Sequence, residues 1–109
     1  MATFEVKATT HFEEDLAIAY RYYRTQAGAN GASGFLDEYD LTISRLQAMP
    51  TAAMKIGDTG LHWCPIGSFT AVFSVDAKKK RVILERLFYM TSDWKSTILG
   101  DGGLDSGKR

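Results

Sequence analysis

The 109-residue chain has one cysteine, two prolines and two histidines, and it has no surplus charge of either sign. A lone Cys64 excludes an intramolecular disulfide and fits a reducing compartment. His11, His62 and Cys64 stand at no ligand-like spacing, which gives no basis for a zinc site. The longest apolar runs, Thr70 to Val75 and Val82 to Leu84, fall far short of the roughly 20 residues a membrane helix needs. The start, MATFEVKATT, lacks a charged segment followed by an apolar one, so a secretion signal is not expected and the expected location is cytoplasmic. Thirteen cations balance thirteen carboxylates, which argues against strong nonspecific nucleic-acid binding.

What is present suits one modest domain. Hydrophobic residues make up 45% and aromatic residues 12%, enough apolar material to fold a chain of this size without metal or disulfide. The charge is uneven along the chain. Residues 1–50 hold four cations against seven carboxylates, and the excess of cations beyond them lies largely in Lys78, Lys79, Lys80, Arg81 and Arg86.

Residues 3–9 alternate Phe4, Val6 and Ala8 with Glu5, Lys7 and Thr9, the period of a half-buried strand. Thr10 with Glu13 reads as a capping box that opens a helix, whose apolar stripe is Phe12, Leu16, Ala19, Tyr20 and Tyr23. The stretch Gly28 to Gly34 reads as a turn, with Asn30 or Ser33 capping a second helix. That helix carries Phe35, Leu36, Tyr39, Ile43 and Leu46 at helical spacing and stops at Met49-Pro50. Thr51 to Gly60 is expected to be a long loop. Leu61–Ile66, Phe69–Val75 and Arg81–Tyr89 then read as an antiparallel meander, with Pro65 at an edge or bulge and the last strand central. Ser92 is the expected cap of a short final helix carrying Trp94 and Ile98, and residues 100–109 are expected to form a flexible tail after a domain spanning 1–99.

Few constellations carry chemistry. Gly102 to Arg109 fits G-x-x-x-x-G-K, but Arg109 replaces the required hydroxyl residue, and a tail is expected there instead of a nucleotide site. Cys64 and His62 are neighbours on one strand face without an orienting third group, so a packed strand thiol is expected. Arg86 lies inside an apolar strand, where a guanidinium must either pair with a carboxylate or serve a ligand.

The order β-α-α-β-β-β, with FEEDLAIAYRYY, FLDEYDLTISRLQAMP, GLHWCPIGSFTAVFSVD and VILERLFYMTSDW in sequence, resembles the RelE/ParE superfamily. These are the toxin halves of bacterial type II toxin–antitoxin modules, often labelled plasmid stabilisation proteins. The resemblance implies an α+β fold: a helical hairpin packed on a small, mainly antiparallel sheet, with a short C-terminal helix. It implies a cognate antitoxin as partner and no cofactor or metal. Two activities follow from it. ParE-like members inhibit growth by binding DNA gyrase, and the ending ERLFYMTSDW, with Arg86, Asp93 and Trp94, is similar to theirs. RelE-like members are metal-independent endoribonucleases that cut mRNA on the ribosome, and His62, Arg86 and Tyr89 are the residues here that match such roles. A third reading is an interaction module without toxicity. The expected target-binding set is Lys55, Arg86, Asp93 and Trp94, and gyrase binding is preferred because an acid, a base and a phosphate clamp are thinly represented.

Overall fold

The structure, a computed structural model, describes residues 3–100. Its elements are β1 (Glu5–Ala8), α1 (Thr10–Ala48), a 3-10 turn (Pro50–Ala52), β2 (Met54–Ile56), β3 (Leu61–Ile66), β4 (Phe69–Asp76), β5 (Arg81–Tyr89) and α2 (Trp94–Gly100). The strands form one sheet in the order β1-β5-β4-β3-β2. All neighbours are antiparallel except β1 and β5, which run parallel and are joined through α1 and the three other strands, since a parallel pair cannot be closed by a tight hairpin. The architecture is α+β, as the resemblance implies.

The 39 residues of α1 would span about 58 Å as a straight helix, yet the longest extent of the molecule is 40 Å. The helix bends back at Gly28, whose φ of 72° and ψ of −167° only glycine adopts without strain. The expected turn over Gly28 to Gly34 is therefore a single residue, and Asn30 and Ser33 are helical positions instead of caps. The start also shifts by one. Thr9 is the cap, its hydroxyl accepting from the Phe12 N–H at 3.0 Å and donating to the Glu85 carbonyl, while its own N–H donates to the Leu84 carbonyl. Thr9 wins over Thr10 because the same residue ties the helix to β5. Met49 caps the other end and Pro50 starts the 3-10 turn, as expected of that pair.

The expected loop 51–60 contains that turn and a short strand, β2, which pairs Met54 with Trp63 and Ile56 with Leu61. Three residues are too few to show a period of two. β2 makes β3 an inner strand over Leu61–Trp63 only, so Pro65 lies where β3 has no outer partner. β5 is central, between β1 and β4. Gly67, at φ 59°, turns β3 into β4, and a side chain there would collide with the Tyr23 hydroxyl, which accepts the Ser68 N–H at 2.6 Å. Beside that turn, Asp93 precedes α2, and Ser92 donates to the Tyr89 carbonyl instead of capping. The expected tail and its G-x-x-x-x-G-K pattern lie, apart from Gly100, outside the described residues.

Strand alternation sends the apolar residues to two clusters. One face of the sheet gives Ile66, Phe69, Ala71, Phe73, Val82, Leu84 and Leu87 to a core closed by Phe12, Ala19, Phe35 and Leu46 of α1. The other gives Ile56 and Val72 to a smaller cluster with Trp94 and Ile98 of α2, flanked by Leu61, Trp63 and Phe88. A β-bulge between Val72 and Phe73 leaves Glu85 without a cross-strand partner and lets Leu84 and Leu87 face the same core. Among the described residues no helix is long and apolar enough to cross a membrane.

Candidate functional site

His62, Arg86 and Tyr89 do not converge. His62 pairs with Phe73 and faces α1; it is 8% exposed, its ring stacked on Phe73 at 5.6 Å and its Nδ1 3.5 Å from the Ala53 carbonyl. Tyr89 faces the same side but lies two strands across and four residues along the sheet, roughly 16 Å away by strand geometry. Phe69 and Phe73 fill the space between. Arg86 pairs with Val72 and so belongs to the α2 face.

Each of the three has a structural partner. The Tyr89 hydroxyl is 3.1 Å from that of Tyr22, in a cluster of edge-to-face contacts with Phe69 and Tyr22. The hydrogen bond to Tyr89, ahead of burial, raises the Tyr22 pKa, so this phenol stays protonated at neutral pH. Tyr22, off the apolar stripe by spacing, is thus drawn into the core margin through Tyr89, Tyr23 and Phe69.

Arg86 is held by Asp15, with Nε 2.7 Å from Oδ2 and Nη2 3.3 Å from Oδ1. The same Asp15 Oδ2 accepts the Leu87 N–H at 2.9 Å. β1 pairs with β5 only as far as Leu84, so Thr9 and Asp15 of the helical segment satisfy backbone groups of β5 that a longer β1 would otherwise have met. Of the two fates open to Arg86, a helix carboxylate is the one observed. Asp15 itself was legible only as an acidic residue placed within the stripe that runs from Phe12 to Leu16.

The α2 face offers an open site. Trp63, Pro65, Phe69, Thr70, Met90, Ser92, Asp93, Trp94 and Lys95 line a groove of about 390 Å³. Trp94 is 6% exposed and serves as its floor, stacked on Phe88 at 6.2 Å; half-buried Trp63 leans on it at 5.6 Å. The Lys95 ammonium sits 5.5 Å from the Trp63 ring and 5.6 Å from that of Trp94. Of the expected target-binding residues, Asp93 and Trp94 meet here. Arg86 adjoins them through Phe88, whose ring its guanidinium covers at 4.9 Å. Lys55 stands apart, in a hollow of about 350 Å³ with Gly57, Asp58, Gly60, Leu61 and His62. Trp63 and Lys95 were not singled out by sequence, because neither strand alternation nor helix spacing reveals which residues flank Trp94.

Cys64 matches the expected packed thiol. Burial pushes it up to about 11, against a small opposing pull from Arg45, so almost no thiolate forms at neutral pH. Among the described residues no three His, Cys, Asp or Glu side chains gather into a metal-holding group.

No protein-family model and no curated protein matches the chain. Solved structures do. A chain of the chromosomal ParDE system from P. aeruginosa superposes with a TM-score of 0.66 at 20% identity, over 79% of this chain and 95% of that one. A chain of the archaeal RelE-RelB complex from Pyrococcus horikoshii gives 0.60 at 18% identity, over 82% and 97%. One from the RelBE2 toxin–antitoxin complex of Mycobacterium tuberculosis gives 0.56 at 14%, over 81% and 99%. This chain thus shares its fold with chains solved in ParDE, RelE-RelB and RelBE2 structures.

Proposed function

We propose that this chain is the toxin of a type II toxin–antitoxin module, inhibiting growth by binding a protein target such as DNA gyrase and neutralised by a cognate antitoxin. The likeness in fold to chains from ParDE and RelE-RelB complexes supports the module. The observation that carries the choice of mechanism is the scattering of His62, Arg86 and Tyr89: one is buried in a ring stack, one is paired with Asp15, and one is bonded to Tyr22. Cleavage through a ribose 2′-OH needs a base, an acid and a cation around one phosphate, and these groups surround none. The groove floored by Trp94 and rimmed by Trp63, Asp93 and Lys95 is instead suited to a protein anchor, an apolar side chain next to a charged or hydrogen-bonding one. Exposed Ile18, Leu41 and Met49 along α1 offer a wrapping antitoxin apolar contacts away from that groove.

The test is induction of the chain in cells, with RNA 5′ ends and plasmid topology read together. Growth arrest with altered supercoiling and no new RNA ends is expected. Codon-positioned cuts abolished by Tyr89→Phe would establish the ribonuclease reading instead. Copurification of the product of a neighbouring gene on a tagged chain tests the antitoxin; its failure, with growth unaffected, would remove the module.

A further inference from the structure

At the opposite end of the sheet from the groove, β4 and β5 are joined by residues 77–80, between the paired Asp76 and Arg81. β4 runs the whole distance from Phe69, in the groove, to Asp76, about 25 Å at strand rise. This tip gathers Lys7, Lys78, Lys79, Lys80 and Arg81, with Glu5 and Asp76 beside them among the described residues. Glu5 is shared by Lys7 at 3.6 Å and Arg81 at 3.2 Å, and Asp76 accepts the Lys79 backbone N–H at 3.1 Å. Among the described residues, Lys78, Lys79 and Lys80 enter no ion pair. Three consecutive exposed lysines are thus left without a carboxylate partner.

Lys80 is the residue that turns this patch from a solvated loop into a candidate surface. It is the one non-glycine residue among those described with positive φ, 54°. The left-handed region is costly for a side chain with a Cβ, and glycine or asparagine fits it more easily. The conformation is enforced, because the Lys80 carbonyl accepts the Glu5 N–H at 2.8 Å and so docks β1 beside β5. The Lys80 ammonium is then held 5.3 Å from the Phe4 ring, which fixes its direction. The tip thus carries a lysine where glycine would be the less strained residue.

We propose that this tip is a phosphodiester-backbone contact, a second surface by which the chain associates with nucleic acid independently of the groove. Three adjacent cations without a carboxylate partner offer a phosphodiester backbone several charges at one tip, whereas a single carboxylate would need only one. Overall neutrality limits the strength of the association without removing it, since the acidic residues of the first half lie mainly on α1. DNA and RNA share this chemistry. Three phosphate contacts give a slope of log affinity against log salt of about −2.7 on duplex DNA and about −2.1 on single strands, roughly a fortyfold loss on duplex for a fourfold rise in salt.

Fluorescence anisotropy of the whole chain with a 20-base-pair DNA duplex and a 20-nucleotide RNA, from 20 to 200 mM salt, tests this. Binding at low salt with those slopes is expected, and the probe bound more tightly names the source. The triple variant Lys78→Gln, Lys79→Gln, Lys80→Gln should lose tenfold or more in affinity and most of the slope, with an unchanged melting temperature. Lys80→Gly separates charge from folding: it should leave or raise the melting temperature while weakening binding about threefold and reducing the duplex slope by about 0.9. Lys95→Glu, in the groove, should leave the slope as it is. Absence of binding to both probes at 20 mM salt, or a triple variant with wild-type affinity and slope, would overturn the proposal.

Discussion

The two faces of the sheet are built from the same alternating strands but finished differently. On one, the bent helix α1 seals Phe12, Phe73, Val82 and Leu84, each 2% exposed or less. On the other, seven-residue α2 covers only part of the surface, and Trp63, Pro65, Met90 and Lys95 remain around an open groove. The difference follows from length, since a two-limbed helix buries a five-stranded sheet and two turns of helix do not. It also sorts the candidate residues by place: His62 and Tyr89 lie on the face that α1 packs against, and Asp93 and Trp94 lie beside α2 at the groove.

The largest effect should come from the sealed face. Phe73→Ala removes a fully buried ring beneath α1 and should cost about 3–5 kcal/mol, against about 0.5 kcal/mol or less for Met90→Ala, whose side chain is 55% exposed; urea titrations of both variants measure the contrast. Equal losses would mean that the faces are not finished differently.

The next effect is at the margin between them. Asp15→Ala strands the Arg86 guanidinium, whose side chain is 31% exposed, and the Leu87 N–H, and it should cost about 2–4 kcal/mol. Asp15→Asn keeps an acceptor for the backbone and should cost less. A double-mutant cycle with Arg86→Ala then isolates the pair.

A smaller effect is visible with pH. Cys64 is neutral in the folded chain up to about 11 and ionises near its ordinary 9.0 when unfolded. Its contribution is therefore complete below pH 9 and is lost as pH rises from 9 to 11, on the order of 2–3 kcal/mol. Denaturant midpoints over that range should fall more steeply for the wild type than for Cys64→Ala.

Much of this contrast was legible in the residues. β3 and β5 have the bounds expected of them, Leu61–Ile66 and Arg81–Tyr89, and Pro65 marks the stretch of β3 without an outer partner. Three things were hidden for physical reasons. The turn between the helical limbs needs only one glycine, so the glycine-rich run overstated its length. β2 is held by pairing with β3 and has too few residues to show a pattern of its own. Asp15 counts in the sequence only as one of the acids of the first half, and the docking of α1 on the open edge of β5 reveals its part. The groove was half visible, through Asp93 and Trp94; Trp63 and Lys95 join them by tertiary packing alone.

The central claim is that the open face acts and the sealed face packs. Its most direct test is growth on induction of three forms, each checked for an intact melt: wild type, His62→Gln with Tyr89→Phe, and Lys95→Glu. The account predicts arrest by the wild type and by the double variant, and loss of arrest with Lys95→Glu, which reverses a groove charge on an exposed side chain. Arrest lost in a folded double variant and kept in Lys95→Glu would contradict it.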